Sequence, residues 1–358
     1  MASAERIPFI IIGENVHATR SFARQGKNLV TIDGVEALTF KDAATGADRT
    51  CPISEPVAAS AEFAKNKVKH IRNALLLGLG GDKVLESKLT GDVSDEAAAA
   101  ARDYLIASAI RQQRNGAHYL DVNVDEMSPD EGVRVLAMEW LVKLLEGAVG
   151  VPLSLDSSSL TVLEAGFRVS AKPQGPLMLN SASAERPEAL DLAAANGAAV
   201  VLSAAGIGGL PSTVAGRIEN ANAIYAEAQA RGIAPADCHV DLLVLPVAVD
   251  SESANGFLEA ARQFRAERGP EIRLTGGLSN VSFGLPNRKL VNDAFLALAM
   301  DAGVDSGIVD PNVVDPARVR AMDRSGKPFA MASDVLTGVD LFAMDYLTAH
   351  RAGELGGD

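Results

Sequence analysis

With 358 residues, 47% of them hydrophobic and 22% charged, the chain holds enough apolar material for one large core with segments to spare. A net charge of −13 argues against nucleic acid or an anionic membrane surface as partner, and 4% aromatic residues leave little for stacking on single strands. Two distant cysteines, Cys51 and Cys238, argue against a disulfide framework or a CxxC zinc site, and five scattered histidines without HxxxH spacing argue against a metal centre.

Near the N-terminus, Pro8–Ile12 is an apolar run stopped almost at once by Glu14. It is too short for a signal segment or a membrane span and reads as a first buried strand, with the cytoplasm as the expected location. Similar runs follow at Tyr119–Val124, Val151–Leu155, Leu177–Leu179, Ala199–Leu202, His239–Leu245, Ile272–Leu274 and Gly307–Val309. Helical stretches lie between them. Ser128-Pro129 reads as the N-cap and first helical position of one; Ser183-Ala184-Glu185-Arg186 opens a second and Pro211-Ser212-Thr213 a third. Asn287–Ala302 and Asp315–Asp323 are further helices. Eight buried, non-alternating strands, each followed by a helix, predict an α/β fold: a (β/α)8 TIM barrel spanning residues 1–358 as one domain.

The gap from Glu14 to Asp121 far exceeds one βα unit, which predicts an insertion at 25–93 between the first and second strands. Its first half, Lys27–Arg49, reads as a hairpin with turns at Asp33-Gly34 and Gly46-Ala47. Its second half, Glu55–Leu77, reads as an amphipathic helix with a basic middle (Lys65, Lys67, Lys69, Arg72), stopped by Gly78 and Gly80-Gly81. A helix from Ser94 to Arg114 returns the chain to the second strand.

Reactive residues in αβ barrels sit at the C-terminal strand ends. That rule selects Glu14, Asn15, Asp121, Asn123, Asp156, Asn180, Asp241, Asn280 and Asp310, a set made wholly of carboxylates and carboxamides. Such a pocket suits a neutral, flat, polar heterocycle. A carboxylate accepts two hydrogen bonds from a guanidine-like edge, and an amide both donates and accepts around a ring. A phosphate ligand would ask for cations or a glycine cradle, and Gly206–Gly209 lacks a following Lys-Ser/Thr pair and reads as a turn. Asp121 and Asn123 alternate on one strand and point the same way. Asp310 before Pro311 reads as a turn residue, and His118 and His239 as structural.

In order along the chain come Ile12-Gly13-Glu14, Leu120-Asp121-Val122-Asn123-Val124, Leu155-Asp156-Ser157, Leu179-Asn180-Ser181, Asp241 with Leu245-Pro246, Gly277-Leu278-Ser279-Asn280-Val281-Ser282, and Asn287-Arg288. This series resembles the pterin-binding methyltransferases, the methyltetrahydrofolate:corrinoid enzymes and the folate module of cobalamin-dependent methionine synthase. The resemblance covers about residues 7–24 and 100–345. It implies that Asp156, Asn180 and Asp241 hydrogen-bond the pterin edge, with Asp121, Asn123, Glu14 and Ser279 lining the site. It further implies that Asn280 contacts N5, the methyl-bearing nitrogen, as the catalytic residue, and that no metal is bound by the chain. Tetrahydrofolate or 5-methyltetrahydrofolate is the implied substrate, a corrinoid (cobalamin) on a separate protein or free is the implied partner, and a homodimer the implied assembly.

The first loop departs from the family pattern by reading Glu14-Asn15-Val16-His17, where His17 can titrate near neutrality and act in proton transfer. Two alternatives stand beside methyl transfer. Dihydropteroate synthase shares the pterin-binding barrel but needs a pyrophosphate site, and Thr275-Gly276-Gly277 offers no lysine. A folate-binding protein without turnover is the other. Asp237-Cys238-His239 begins a corrinoid-type DxH pattern without the glycine expected after it, so the chain carries no corrinoid module of its own.

Overall fold

The computed structural model describes residues 8–356. The chain runs from β1 (Ile10–His17) through β2 (Ser21–Ala23), β3 (Leu29–Ile32), β4 (Val35–Lys41), β5 (Asp48–Pro52) and β6 (Lys67–Lys69) to β7 (Tyr119–Asn123). Then come β8 (Leu153–Asp156), β9 (Met178–Ala182), β10 (Ala199–Ser203), β11 (Cys238–Asp241), β12 (Arg273–Thr275) and β13 (Ser306–Val309). Eight parallel strands share one sheet in the order β12-β11-β10-β9-β8-β7-β1-β13, a nearly closed (β/α)8 barrel. A parallel bridge between Gly277 and Ile308, with Ile308 N donating to Gly276 O at 3.0 Å, links β12 to β13. Each of the eight strands overlaps an apolar run read from the sequence, with β1 extending past Ile12 as far as His17 and β9 past Leu179 as far as Ala182. No helix among the described residues is long and apolar enough to cross a membrane.

Contacts group the chain into two compact units, Gly13–Asn180 and the residues through Ile12 together with Ser181 onward. In the first unit β3 and β4 form a hairpin, and β5 adds a third strand. Asp33 and Gly34 both take positive φ, which matches the twist of a two-residue hairpin turn. The continuous helix expected over Glu55–Leu77 does not form. Instead α1 (Glu55–Ala58) and α2 (Ala61–Ala64) are single turns, and Ser60 caps the second by accepting from Phe63 N. Asn66 in the left-handed region ends that run, and Lys67–Lys69 pairs with Ser21–Ala23 before α3 (His70–Gly81) begins.

The expected helix stop is also displaced, because Gly78, Gly80 and Gly81 lie inside α3. They permit close packing. A Cβ at Gly78 would collide with Trp140 and one at Gly81 with Ala98, so a methyl at either site overpacks the contact at about 1–3 kcal/mol. After α4 (Ser87–Thr90), α5 (Asp95–Arg114) starts with Ser94 accepting from Ala97 N. Asp95 and Glu96 in its first turn and Arg111 and Arg114 in its last complement the helix dipole. For α6 (Glu131–Glu146) the cap is Asp130 rather than Ser128. The Asp130 carboxylate accepts from Gly132 N at 2.8 Å, while Ser128 Oγ accepts from Asp130 N in the preceding turn. α7 (Leu160–Val169) completes the unit; Leu120, Val122, Leu155 and Leu179 are fully buried on the strands beneath these helices. Each such side chain contributes about 1.5–3 kcal/mol.

In the second unit the helix expected from Ser183 begins only at α8 (Ala189–Asn196). Ser183 instead bridges Arg186, which stands before Pro187 and is thereby kept out of helical backbone. α9 (Val214–Ala230) is capped by Thr213, and α10 (Ser253–Arg268) follows. α11 (Arg288–Asp301) starts with Asn287 accepting from Leu290 N. α12 (Pro316–Arg320) begins at Asp315 as expected but stops short of Asp323; α13 (Lys327–Leu336) and α14 (Met344–Arg351) close the chain.

Candidate active site

In the unit Gly13–Asn180, strand register builds a row of polar side chains. Asn123 lies opposite Asp156, Asp156 opposite Asn180, and one step deeper Asp121 lies opposite Ser154. Residues two apart on a strand share a face, so the two levels stack. Asn123 Nδ2 donates to Asp156 at 3.0 Å and Asn180 Nδ2 to Asp121 at 3.2 Å. Asp121, fully buried, also accepts from Ser154 Oγ at 2.5 Å and meets His17 Nε2 at 2.6 Å. The ring of His17 stands 3.7 Å from Asp156. Asp121 and Asn180 are thus hydrogen-bonded in one group with His17, and Asn123 and Asp156 in a second that His17 approaches at 3.7 Å.

Burial works against a charged His17, but the hydrogen bond and charge of Asp121, joined by the fields of Asp156 and Glu14, outweigh it and raise its pKa above the usual value. Asp156 is pushed up to about 7, first by burial and then by Asp121, while His17 and the Asn123 amide pull it down. The oxygens and ring nitrogen of His17, Asp121 and Asp156 lie close enough together to surround a metal ion. Asp121 places both oxygens on His17, Ser154 and Asn180, and Asp156 one on Asn123.

The second unit carries a different arrangement of its own. Asp241 ends β11, and its carboxylate accepts from Leu243 N at 2.8 Å. Burial pushes Asp241 up to about 6, opposed by that hydrogen bond and by Arg217. Leu243 takes φ 69°, a left-handed conformation that costs a branched side chain on the order of 1–3 kcal/mol. Arg217 from α9 secures this turn by donating to the carbonyls of Leu242 and Leu243. Asn280 sits in the short 3-10 turn Leu278–Ser282 after β12; its side-chain amide bonds to no protein atom among the described residues. Glycines leave room for these groups, since a Cβ at Gly277 would stand 2.8 Å from the Asn280 amide and make it turn aside, and one at Gly276 would stand 3.3 Å from Asp241. Ser279 shares the turn, where its carbonyl accepts from Arg288 at 3.0 Å.

Glu14, whose charge also acts on His17, forms a 2.8 Å ion pair with Arg20, which also donates to Asn15. Asp310 accepts from Asn312 N in a turn, as read from the sequence. His239 is buried against Ser306 Oγ, with burial lowering its pKa to about 3, which fits its structural reading. Sequence reasoning passed over Ser154, Arg217 and Asp125. Asp125 accepts from Ser157 Oγ at 2.5 Å and from Ser158 N at 2.8 Å, fixing the loop after Asp156. Ser154 was signalled by its place two residues before Asp156, on the same strand face. Arg217, at the start of a helix, carried no such signal.

The fold and its polar strand ends define the class as a (β/α)8 barrel with an enzyme-type arrangement of residues at the C-terminal strand ends. The pterin binding enzyme family matches residues 89–310. A methylcorrinoid:tetrahydrofolate methyltransferase from Eubacterium limosum is 32% identical over 254 residues, 69% of this chain and 87% of the relative. Methionine synthase from Mycobacterium tuberculosis is 31% identical over 217 residues, covering 57% of this chain and 18% of that relative's own length. Among solved structures, a Yersinia pestis dihydropteroate synthase with a pterine-sulfa conjugate superposes with TM-score 0.50 at 18% identity, covering 62% of this chain and 88% of that one; it bears on the fold alone. The chain belongs to the pterin-binding enzymes. Its place among them is with the methyltransferases.

Proposed function

We propose that the chain moves a methyl group between N5 of tetrahydrofolate and the cobalt of a corrinoid supplied in trans, on a separate protein or free. The observation that carries this reading is the linked row Asn123, Asp156, Asn180 with Asp121 beneath it, acceptors and amides preset for a flat ring with N–H donors. Asp156, Asn180 and Asp241 hold the pterin edge in this reading, and Asp121, Asn123, Glu14 and Ser279 line the site. A corrinoid supplies a cobalt that takes or gives the methyl group. A tertiary amine leaves poorly until N5 gains a proton, and the amide of Asn280, without a side-chain partner among the described residues, can turn to hydrogen-bond N5 as its protonation changes. His239 is buried against Ser306 and so is not offered to a corrinoid, which supports supply in trans. The reading includes a cytoplasmic homodimer, whose subunit number sedimentation of the purified chain checks.

The test is spectral. Purified chain, tetrahydrofolate and methylcobalamin are expected to show loss of the methylcobalt absorbance with formation of 5-methyltetrahydrofolate; reduced cobalamin with 5-methyltetrahydrofolate is expected to show the reverse. No cobalt change in either direction, with pterin binding intact by calorimetry, would leave a folate-binding protein. Condensation of a pterin pyrophosphate with p-aminobenzoate would move the assignment to dihydropteroate synthase chemistry.

A further inference from the structure

We propose that His17 is a positioning residue of the pterin site: its ring, seated between Asp121 and Asp156, carries a proton whose charge keeps the Asp156 carboxylate ionised to receive the N–H donors of a pterin. This inference rests on the folate reading above. The geometry is specific, with Nε2 at 2.6 Å from Asp121 and 3.7 Å from Asp156. Among the described residues no lysine or arginine pairs with either carboxylate. The other charges facing the group are Glu14 on the same strand, whose charge Arg20 answers at 2.8 Å, and Asp125 on the turn after β7, which adds to the negative field on Asp156. His17 is therefore the cation that offsets two adjoining carboxylates. Asp156 already titrates at about 7 with His17 beside it, and His17 is itself held above its usual pKa by Asp121. Without the imidazolium, Asp156 would keep its proton through neutrality. A protonated acid donates where the ionised one accepts, so the carboxyl would then oppose the donors of the ring.

The experiment is the pH profile of tetrahydrofolate affinity, by calorimetry, in wild type, His17→Gln and His17→Gln/Asp121→Asn. In His17→Gln the acid limb is expected to move up by about one to three pH units. Affinity near pH 6.5 then falls about tenfold or more, and the loss shrinks as the pH rises. Removing the Asp121 charge as well is expected to bring the limb back down. A uniform loss at every pH, or an unchanged profile, overturns the proposal. Should the variants fail to fold, 15N-labelled wild type decides: a His17 ring already neutral at pH 7 overturns it. Absence of binding by wild type at any pH defeats the folate reading instead.

Discussion

Two carboxylates at strand ends, Asp121 in one unit and Asp241 in the other, live under opposite conditions. Asp121 is fully buried yet answered on all sides, by the His17 ring, the Ser154 hydroxyl and the Asn180 amide. Asp241 accepts one backbone N–H, with Arg217 acting on it through space while that guanidinium is spent on neighbouring carbonyls. The amide of Asn280 in the same unit likewise has no protein partner among the described residues. Asp121 has its hydrogen bonds met before any ligand arrives, whereas Asp241 and Asn280 keep acceptors and donors in reserve. On the proposed reading Asp121 braces the row that faces the ring, whereas Asp241 and Asn280 hold capacity in reserve for the substrate, at some expense in stability.

The contrast is broken most directly at Asp121. Asp121→Asn removes one partner of a buried charge pair and is expected to destabilise the chain by about 3–5 kcal/mol, read from denaturant unfolding. A loss below about 1 kcal/mol would show that the network contributes little to the fold. Asn280→Ala should behave in the opposite sense. Its stability is expected within about 0.5 kcal/mol of wild type, since no intramolecular bond is lost. Methyl transfer in single turnover should fall about 10²–10³-fold, as for removal of a preorganised donor. Unchanged turnover would take Asn280 out of the chemistry.

This division was only partly legible in the sequence. Strands with both faces covered write themselves as short apolar runs, so all eight barrel strands and their polar ends could be read in order. Helix starts were read less well, because a serine before an acidic residue describes a cap only where the backbone is free to turn. Pro187 denies that to Arg186, and Asp130 outcompetes Ser128 with a charged acceptor. The glycines at 78, 80 and 81 looked like a stop signal and proved to be the close contact of α3 with Trp140 and Ala98, a tertiary fact no local pattern holds. Asp156, Asn180 and Asn123 were found as separate strand ends. That Asn123 bonds to Asp156 and Asn180 to Asp121, and that His17 stands against them while Glu14 pairs with Arg20, depends on register and on β1 running five residues past Ile12.

The smallest effect tests the comparison most finely, through its sign. Asp241 titrates at about 6 in the fold against 3.8 for a free aspartate. The folded state therefore binds this proton more tightly than the unfolded chain. The stability this group contributes is fully present below pH 3.8 and is lost as the pH rises through about 6. Asp241→Asn imitates the protonated form and keeps an oxygen for Leu243 N. It is expected to stabilise the ligand-free chain at pH 7.5 by about 1–3 kcal/mol, a gain that fades as the medium is brought toward pH 4. The same substitution should weaken tetrahydrofolate binding, because the amide answers fewer donors than the carboxylate. Thermal melts of wild type and variant across that range, with and without tetrahydrofolate, measure both. Stabilisation without ligand joined to loss of the ligand-induced shift marks Asp241 as a charge kept for substrate. Destabilisation at pH 7.5 would instead make it a structural carboxylate like Asp121, and the contrast between the two regions would fall.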